Sequence, residues 1–159
     1  EGRRIPHHIR HKDIAVTMLD LVNVDVPKEM KGMSLMPFLN GEIPDKWRDD
    51  SLLTEENSWM SKYALRKDGY KLIKARAKDW HGFPPRELYH IPSDPHETHN
   101  LIESDSKLAD EMDTELESRV AEKLRLYGRT ADPLIEQGLS PMGMRAWEWL
   151  EKMKERKNE

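Results

Sequence analysis

The sequence predicts an α+β fold: a small four-stranded antiparallel sheet packed by a long helix. Three observations carry this reading. Between positions 51 and 91 the apolar residues fall into short runs with strand-like period. Asp68-Gly69 sits between two of those runs, where a tight hairpin turn needs residues that tolerate positive φ. Further on, Leu108, Met112, Leu116, Val120 and Leu124 recur every four residues and Tyr127 follows three further, the spacing of one helical stripe.

Taken in order, the first element is a short helix from Asp13 to Asn23. Asp13 suits an N-cap, Ile14, Met18, Leu21 and Val22 share a face, and Asn23 suits a left-handed C-terminal position ahead of Pro27. Gly32 to Gly41 is a compact apolar turn, expected as a buried loop with one helical turn. The strands are expected at Ser51–Glu55, Lys62–Lys67, Tyr70–Lys74 and Glu87–Ile91. Tyr70, Leu72 and Lys74 then face away from Lys71 and Ile73, and hairpin connections make the sheet antiparallel. Tyr70 and Tyr89 read as packing residues. Asp105 to Tyr127 is the long helix, with Lys123 and Arg125 near its negative end and Gly128 just past it. One apolar stripe means that it covers something, most simply one face of the sheet. Ser140-Pro141 opens a last helix, in which Met144, Trp147 and Leu150 share a face. Beyond Glu151 it is nearly all charge and is expected to fray.

Composition narrows the function classes. The 159 residues carry 26 Lys and Arg against 30 Asp and Glu, a net charge of −4, so no bulk basic field draws nucleic acid or an anionic membrane. No apolar run is long enough to span a bilayer. The chain has no cysteine, which removes disulfides, thiolate zinc sites and a cysteine nucleophile from these residues while leaving the compartment open. It opens on Glu1-Gly2-Arg3-Arg4 rather than Met, which fits a piece of a longer protein.

Three stretches, in order, resemble one family. Asp13-Ile14-Ala15-Val16-Thr17-Met18-Leu19-Asp20-Leu21 is similar to Asp-(Leu/Ile)-x-Pro-Thr-Leu-Leu-x-Leu, with Val16 in place of Pro and Asn23 in place of a following Gly. Gly32-Met33-Ser34-Leu35-Met36-Pro37-Phe38-Leu39-Asn40-Gly41 is similar to Gly-x-Ser-Leu-x-Pro-Leu-Leu-x-Gly, and Trp47-Arg48-Asp49 follows as in the pattern. Tyr70-Lys71-Leu72-Ile73, then Glu87-Leu88-Tyr89-His90-Ile91, then Asp94-Pro95-His96-Glu97-Thr98-His99-Asn100-Leu101 completes the set, with His90 in place of Asp. Together they resemble the C-terminal portion of the sulfatases of the alkaline-phosphatase superfamily, from about Gly2 to Tyr127.

The resemblance implies that residues 1–48 are the C-terminal edge of an α/β catalytic domain, 49–128 the C-terminal subdomain, and 129–159 a helical extension. It implies a parent enzyme that hydrolyses sulfate esters with a formylglycine nucleophile and a calcium ion, around which cations offset the charge of the transferring group. It also implies partners: the N-terminal catalytic domain of the same chain and a sulfated substrate such as a glycan or an aryl sulfate. Within residues 1–159 neither catalytic residues nor a cofactor site is expected. Ser93-Asp94-Pro95-His96-Glu97 puts Ser and Pro at the nucleophile-motif spacing, but Glu97 stands where Arg is required and would repel a sulfate. Asp49-Asp50 reads as a solvated pair, and His7, His8 and His11 as structural or surface residues, since their spacing is poor for a helix face.

Substrate contact is expected on the loop before the fourth strand, at Arg76, Lys78, Trp80, His81 and Arg86. The loop is long for a hairpin and mixes cations with aromatics. Arg can bind a sulfate through two parallel N–H bonds, Lys supplies a point charge, and Trp80 can stack on a sugar ring. Alternative functions are a stand-alone protein-binding module using the Trp147–Trp149 helix, and a fragment of a related phosphate or phosphonate ester hydrolase. The apolar residues around Ile14, Met18 and Leu35 to Leu39 would lack their covering domain in isolation, so self-association or disorder of about the first 40 residues, or both, is expected.

Overall fold

The computed structural model describes residues 2, 4–5, 7–42, 44, 47, 51–79 and 81–158, with side chains to Arg156 at the C-terminal end. The chain divides into two compact units, Glu1–Asp50 and Ser51–Glu159.

In the first unit, α1 runs from His11 to Leu21. It starts two residues earlier than the sequence suggests, because Asp13 acts at the third helical position rather than as the N-cap. Its Oδ2 accepts the Arg10 N–H at 2.8 Å, closing a capping box, and its Oδ1 accepts the Met33 N–H at 2.9 Å. The Thr17 hydroxyl likewise accepts the Leu35 N–H at 2.9 Å. Two side chains of α1 thus satisfy the backbone of the Gly32–Gly41 segment. Gly32 permits that approach, since a Cβ there would stand 2.2 Å from the Lys12 carbonyl oxygen. Asn23, at φ +54°, ends the helix in a Schellman arrangement, with Val24 N–H bonded to Leu19 O and Asn23 N–H to Asp20 O at 3.0 Å each. The short helix α2, Met36–Leu39, buries Phe38 edge-on against Trp47, centroids 4.7 Å apart.

The second unit is a meander of β1 (Leu52–Glu56), β2 (Lys62–Lys67), β3 (Tyr70–Ala75) and β4 (Arg86–His90), antiparallel and in sequence order. Asp68 at φ +49° and Gly69 at φ +81° form the two-residue turn between β2 and β3. The register places Leu53 opposite Leu65, Leu65 opposite Leu72 and Leu72 opposite Leu88, a row of leucines across all four strands. The long helix α3, Ser106–Leu126, lays Ala109, Met112, Leu116 and Val120 on that row. Leu108 and Leu124 are half-buried at the ends of the stripe. Tyr127 is 64% exposed, because it caps the helix rather than continuing it.

The connection from β4 to α3 is held by side chains. Asn100 Oδ1 accepts the Leu88 N–H at 2.9 Å, extending the free edge of β4. Asp94 collects the free N–H groups of its turn: those of Thr98 and His99, each 2.8 Å away. These bonds, that of His99 foremost, hold the Asp94 carboxyl below the usual carboxylate range. Glu97 adopts φ +56° and pairs with Lys71 at 2.7 Å. After α3 come α4 (Pro133–Glu136) and α5 (Pro141–Asn158), the latter helical past Glu151 where fraying was expected. Asp132 caps α4 by accepting the Leu134 N–H, and Ser140 caps α5 by accepting the Gly143 N–H.

Candidate functional site

The loop from 76 to 85 leaves β3 and returns to β4 as one closed excursion. Ala75 N–H bonds Pro85 O at 2.9 Å across its base, and Arg76 N–H bonds Ser61 O at 2.7 Å. At the far end Asp79 turns the chain, accepting the His81 N–H on Oδ1 at 2.7 Å and the Gly82 N–H on its carbonyl. Asp79 is itself buried, and its other oxygen lies 2.5 Å from Lys62 Nζ. Lys62 also reaches Glu87 at 3.4 Å, and Glu87 accepts the Tyr89 hydroxyl at 2.7 Å. A buried chain of alternating charge therefore ties the tip of the loop to β2 and β4. Burial first, then the Glu87 carboxylate, pushes the Tyr89 phenol up and keeps it protonated.

The cations expected to meet substrate divide into two groups. Arg76 is only 8% exposed; its two terminal nitrogens bind both Glu117 oxygens at 2.7 and 2.8 Å, and its Nε lies 3.2 Å from Asp132. Arg86 lies against Asp110 at 2.9 Å and Asp113 at 3.1 Å. Both guanidinium groups are thus turned toward carboxylates, and Lys74 joins the same acidic ridge of α3 through Asp113 and Glu117. Lys78 differs: it is exposed, and its ammonium stands 5.2 Å from the centre of the Trp147 ring. His81 is exposed beside Phe83, ring centroids 6.2 Å apart. Trp80 lies outside the described residues.

Sequence reasoning missed two features. One is the Lys62–Asp79–Glu87 chain, for which the Asp79-x-x-Gly82 turn signature was the available signal. The other is a cavity of about 270 Å3 lined by Ala77, Lys78, Leu139, Met144, Trp147 and Glu148. It joins residues some sixty positions apart, and no local pattern announces it. In the Ser93–Glu97 stretch the Ser93 hydroxyl lies 2.7 Å from His90 Nδ1, while Glu97 faces Lys71. Among the described residues no group of three or more His, Asp or Glu side chains is placed to hold a metal ion. No helix among them is long and apolar enough to cross a membrane.

A family model described as N-sulphoglucosamine sulphohydrolase, C-terminal, matches residues 1–125. An N-acetylglucosamine-6-O-sulfatase of Bacteroides thetaiotaomicron is 31% identical over 97 residues, 57% of this chain and 17% of its own length. A putative sulfatase of the same species aligns in structure at a TM-score of 0.57 and 26% identity, over 81% of this chain and 27% of that one. A protein solved in complex with its substrate D-glucosamine-2-N,6-O-disulfate aligns at a TM-score of 0.52 and 28% identity, over 73% of this chain and 24% of that one. The chain therefore spans about a sixth of the curated relative and about a quarter of the solved ones.

Proposed function

Because the chain belongs to the N-sulphoglucosamine sulphohydrolase C-terminal family, we propose that it is the C-terminal part of a sulfuric ester hydrolase and walls a cleft for a sulfated sugar. The match over residues 1–125, with both sulfatase relatives covered over only a minor part of their length, carries the reading. Residues 1–48 then form the edge of the catalytic domain, 49–128 the C-terminal subdomain and 129–159 a helical extension. The formylglycine nucleophile and calcium of such a hydrolase belong to its catalytic region, outside these residues.

The loop between β3 and β4 is the part of this chain suited to a sulfated sugar. Arg76 and Arg86 fix its two ends through α3 carboxylates. Lys78, Trp80 and His81 carry the chemistry such a substrate calls for: a point charge for a sulfate, a ring face for a sugar and an imidazole for a hydroxyl or sulfate oxygen. Preorganisation of the loop from below keeps the ordering cost of binding low.

The test is sulfate release from N- or O-sulfated glucosamine by the full-length protein. Lys78→Ala and His81→Ala are expected to lower kcat/KM, the former by roughly tenfold, as the loss of a hydrogen bond to a charged group does. Residues 1–159 alone are expected to release no sulfate. Calcium-dependent turnover by that segment, or both variants staying within about twofold of the parent, would sink the reading.

A further inference from the structure

We infer that the cavity between the 76–85 loop and α5 is a saccharide subsite of that cleft, taking one ring of an anionic glycan with its anionic group on Lys78. The inference rests on the sulfated-sugar reading above and goes beyond it, because four of the six lining residues, Leu139, Met144, Trp147 and Glu148, lie past the family match that ends at 125. Three of those four, Met144, Trp147 and Glu148, sit on α5, a helix outside the matched residues.

The lining has the chemistry of a sugar ring. Ala77, Leu139, Met144 and the Trp147 indole form an apolar surface for the C–H face of a pyranose, while Lys78 and Glu148 place one charge of each sign beside it. Lys78 can bind an anion, since among the described residues no carboxylate pairs with it. Lys74, Arg76 and Arg86 nearby all have acidic partners. Its ammonium is held over Trp147 by a cation–π contact, which leaves N–H donors for a ligand. Glu148 offers an acceptor for a sugar hydroxyl. The volume of about 270 Å3 lies just under the roughly 300–1,000 Å3 of drug-sized pockets, so the site takes a single ring rather than a chain.

The cavity walls are also held in place. The N-terminal end of α5 sits against the β1–β2 connection: Ser140 Oγ donates to Ser58 O, and a Cβ on Gly143 would stand 2.6 Å from Trp59 O. The opposite wall, Ala77-Lys78, is flanked by Arg76 and Asp79, both anchored as described.

The experiment titrates the 159-residue chain with D-glucosamine-2-N,6-O-disulfate and with unsulfated glucosamine, following indole N–H resonances by NMR. Trp147→Phe assigns the Trp147 signal, and Trp149, 60% exposed, is the control. The disulfate is expected to shift Trp147 saturably in the millimolar range and to leave Trp149 in place. Lys78→Ala should weaken it roughly tenfold, as loss of a charge-assisted hydrogen bond does. Unsulfated glucosamine should bind about tenfold more weakly and be indifferent to Lys78→Ala. Trp147→Phe, which keeps a ring but no indole N–H, should retain part of the affinity, read from the backbone amide shifts of Ala77 and Lys78. No saturable shift at Trp147, or one unaffected by Lys78→Ala, overturns it. So does a Trp147 shift that follows protein concentration, which would assign the cavity to a second copy. The hydrolase reading is judged separately, by sulfate release and by His81→Ala in the full-length protein, so either can fail alone.

Discussion

Arg76 binds both oxygens of Glu117, at 2.7 and 2.8 Å, while its Nε faces Asp132 at 3.2 Å. One guanidinium thereby joins the end of β3 to α3 and to the cap of α4. The three side chains differ in exposure: 8% for Arg76 and Asp132, but 43% for Glu117. Arg76→Ala leaves Asp132 buried with its cation gone and should cost about 2–4 kcal/mol. Glu117→Ala removes a partner that water can replace and should cost about 1 kcal/mol or less. Urea unfolding of the two variants checks this; equal losses would contradict it.

The same pair sets an acid limit on stability. The Arg76 hydrogen bond, assisted by Lys74, outweighs burial and lowers the Glu117 pKa from 4.5 to about 2. A depressed carboxylate pKa contributes stability that is fully present above 4.5 and is lost as pH falls through about 2. Wild type should therefore lose stability between these values, and Glu117→Gln should lose less across that window while being less stable at pH 7. A parallel pH profile for the two proteins would show that Glu117 carries none of the dependence.

Gly143 controls whether α5 stays docked. Its would-be Cβ meets the Trp59 carbonyl oxygen at 2.6 Å, and backbone cannot swing aside as a side-chain end can. Gly143→Val should release α5 and make the chain cleavable near Leu139 and Ser140 in limited proteolysis. The core of Leu65, Leu72, Leu88 and Leu116 lies elsewhere in the unit, so the main unfolding transition should move little. Unchanged proteolysis would mean that the helix accommodates the new side chain.

The α1 face carries Ile14, Met18, Leu21 and Val22, exposed by 49%, 63%, 53% and 65%. Clustered apolar surface of this kind promotes association. In sedimentation at rising concentration the isolated chain is expected to self-associate, and Met18→Glu with Leu21→Glu is expected to return it toward monomer. A wild-type monomer at all concentrations would count against this face as a docking surface.

Much of the fold is local in origin and was legible. Asp68-Gly69 dictates a two-residue turn whatever surrounds it, and the turn fixes the β2–β3 register. The four-residue recurrence from Leu108 to Leu124 can bury one face only as a helix. Asn23 and Gly128 mark helix ends because few residues adopt positive φ cheaply. Positions whose role depends on distant partners were misread. Asp13 has the composition of an N-cap, but its place is set by Arg10 and Met33 together. Tyr127 fits the stripe by spacing and falls outside it because the helix has ended.

The loop shows the division most clearly. Its length and its mixture of cations and aromatics were plain in the sequence, and so was the Lys or Arg chemistry each position could perform. Which cations stay available was decided by packing. α3 presents Asp110, Asp113 and Glu117 to the strand ends, and a guanidinium beside a carboxylate binds it in preference to staying in water. Lys78, beyond the reach of that ridge, meets Trp147 instead. A sequence determines what each side chain can bind; only the tertiary structure brings a partner within the few ångströms over which charges in a partly desolvated site attract strongly.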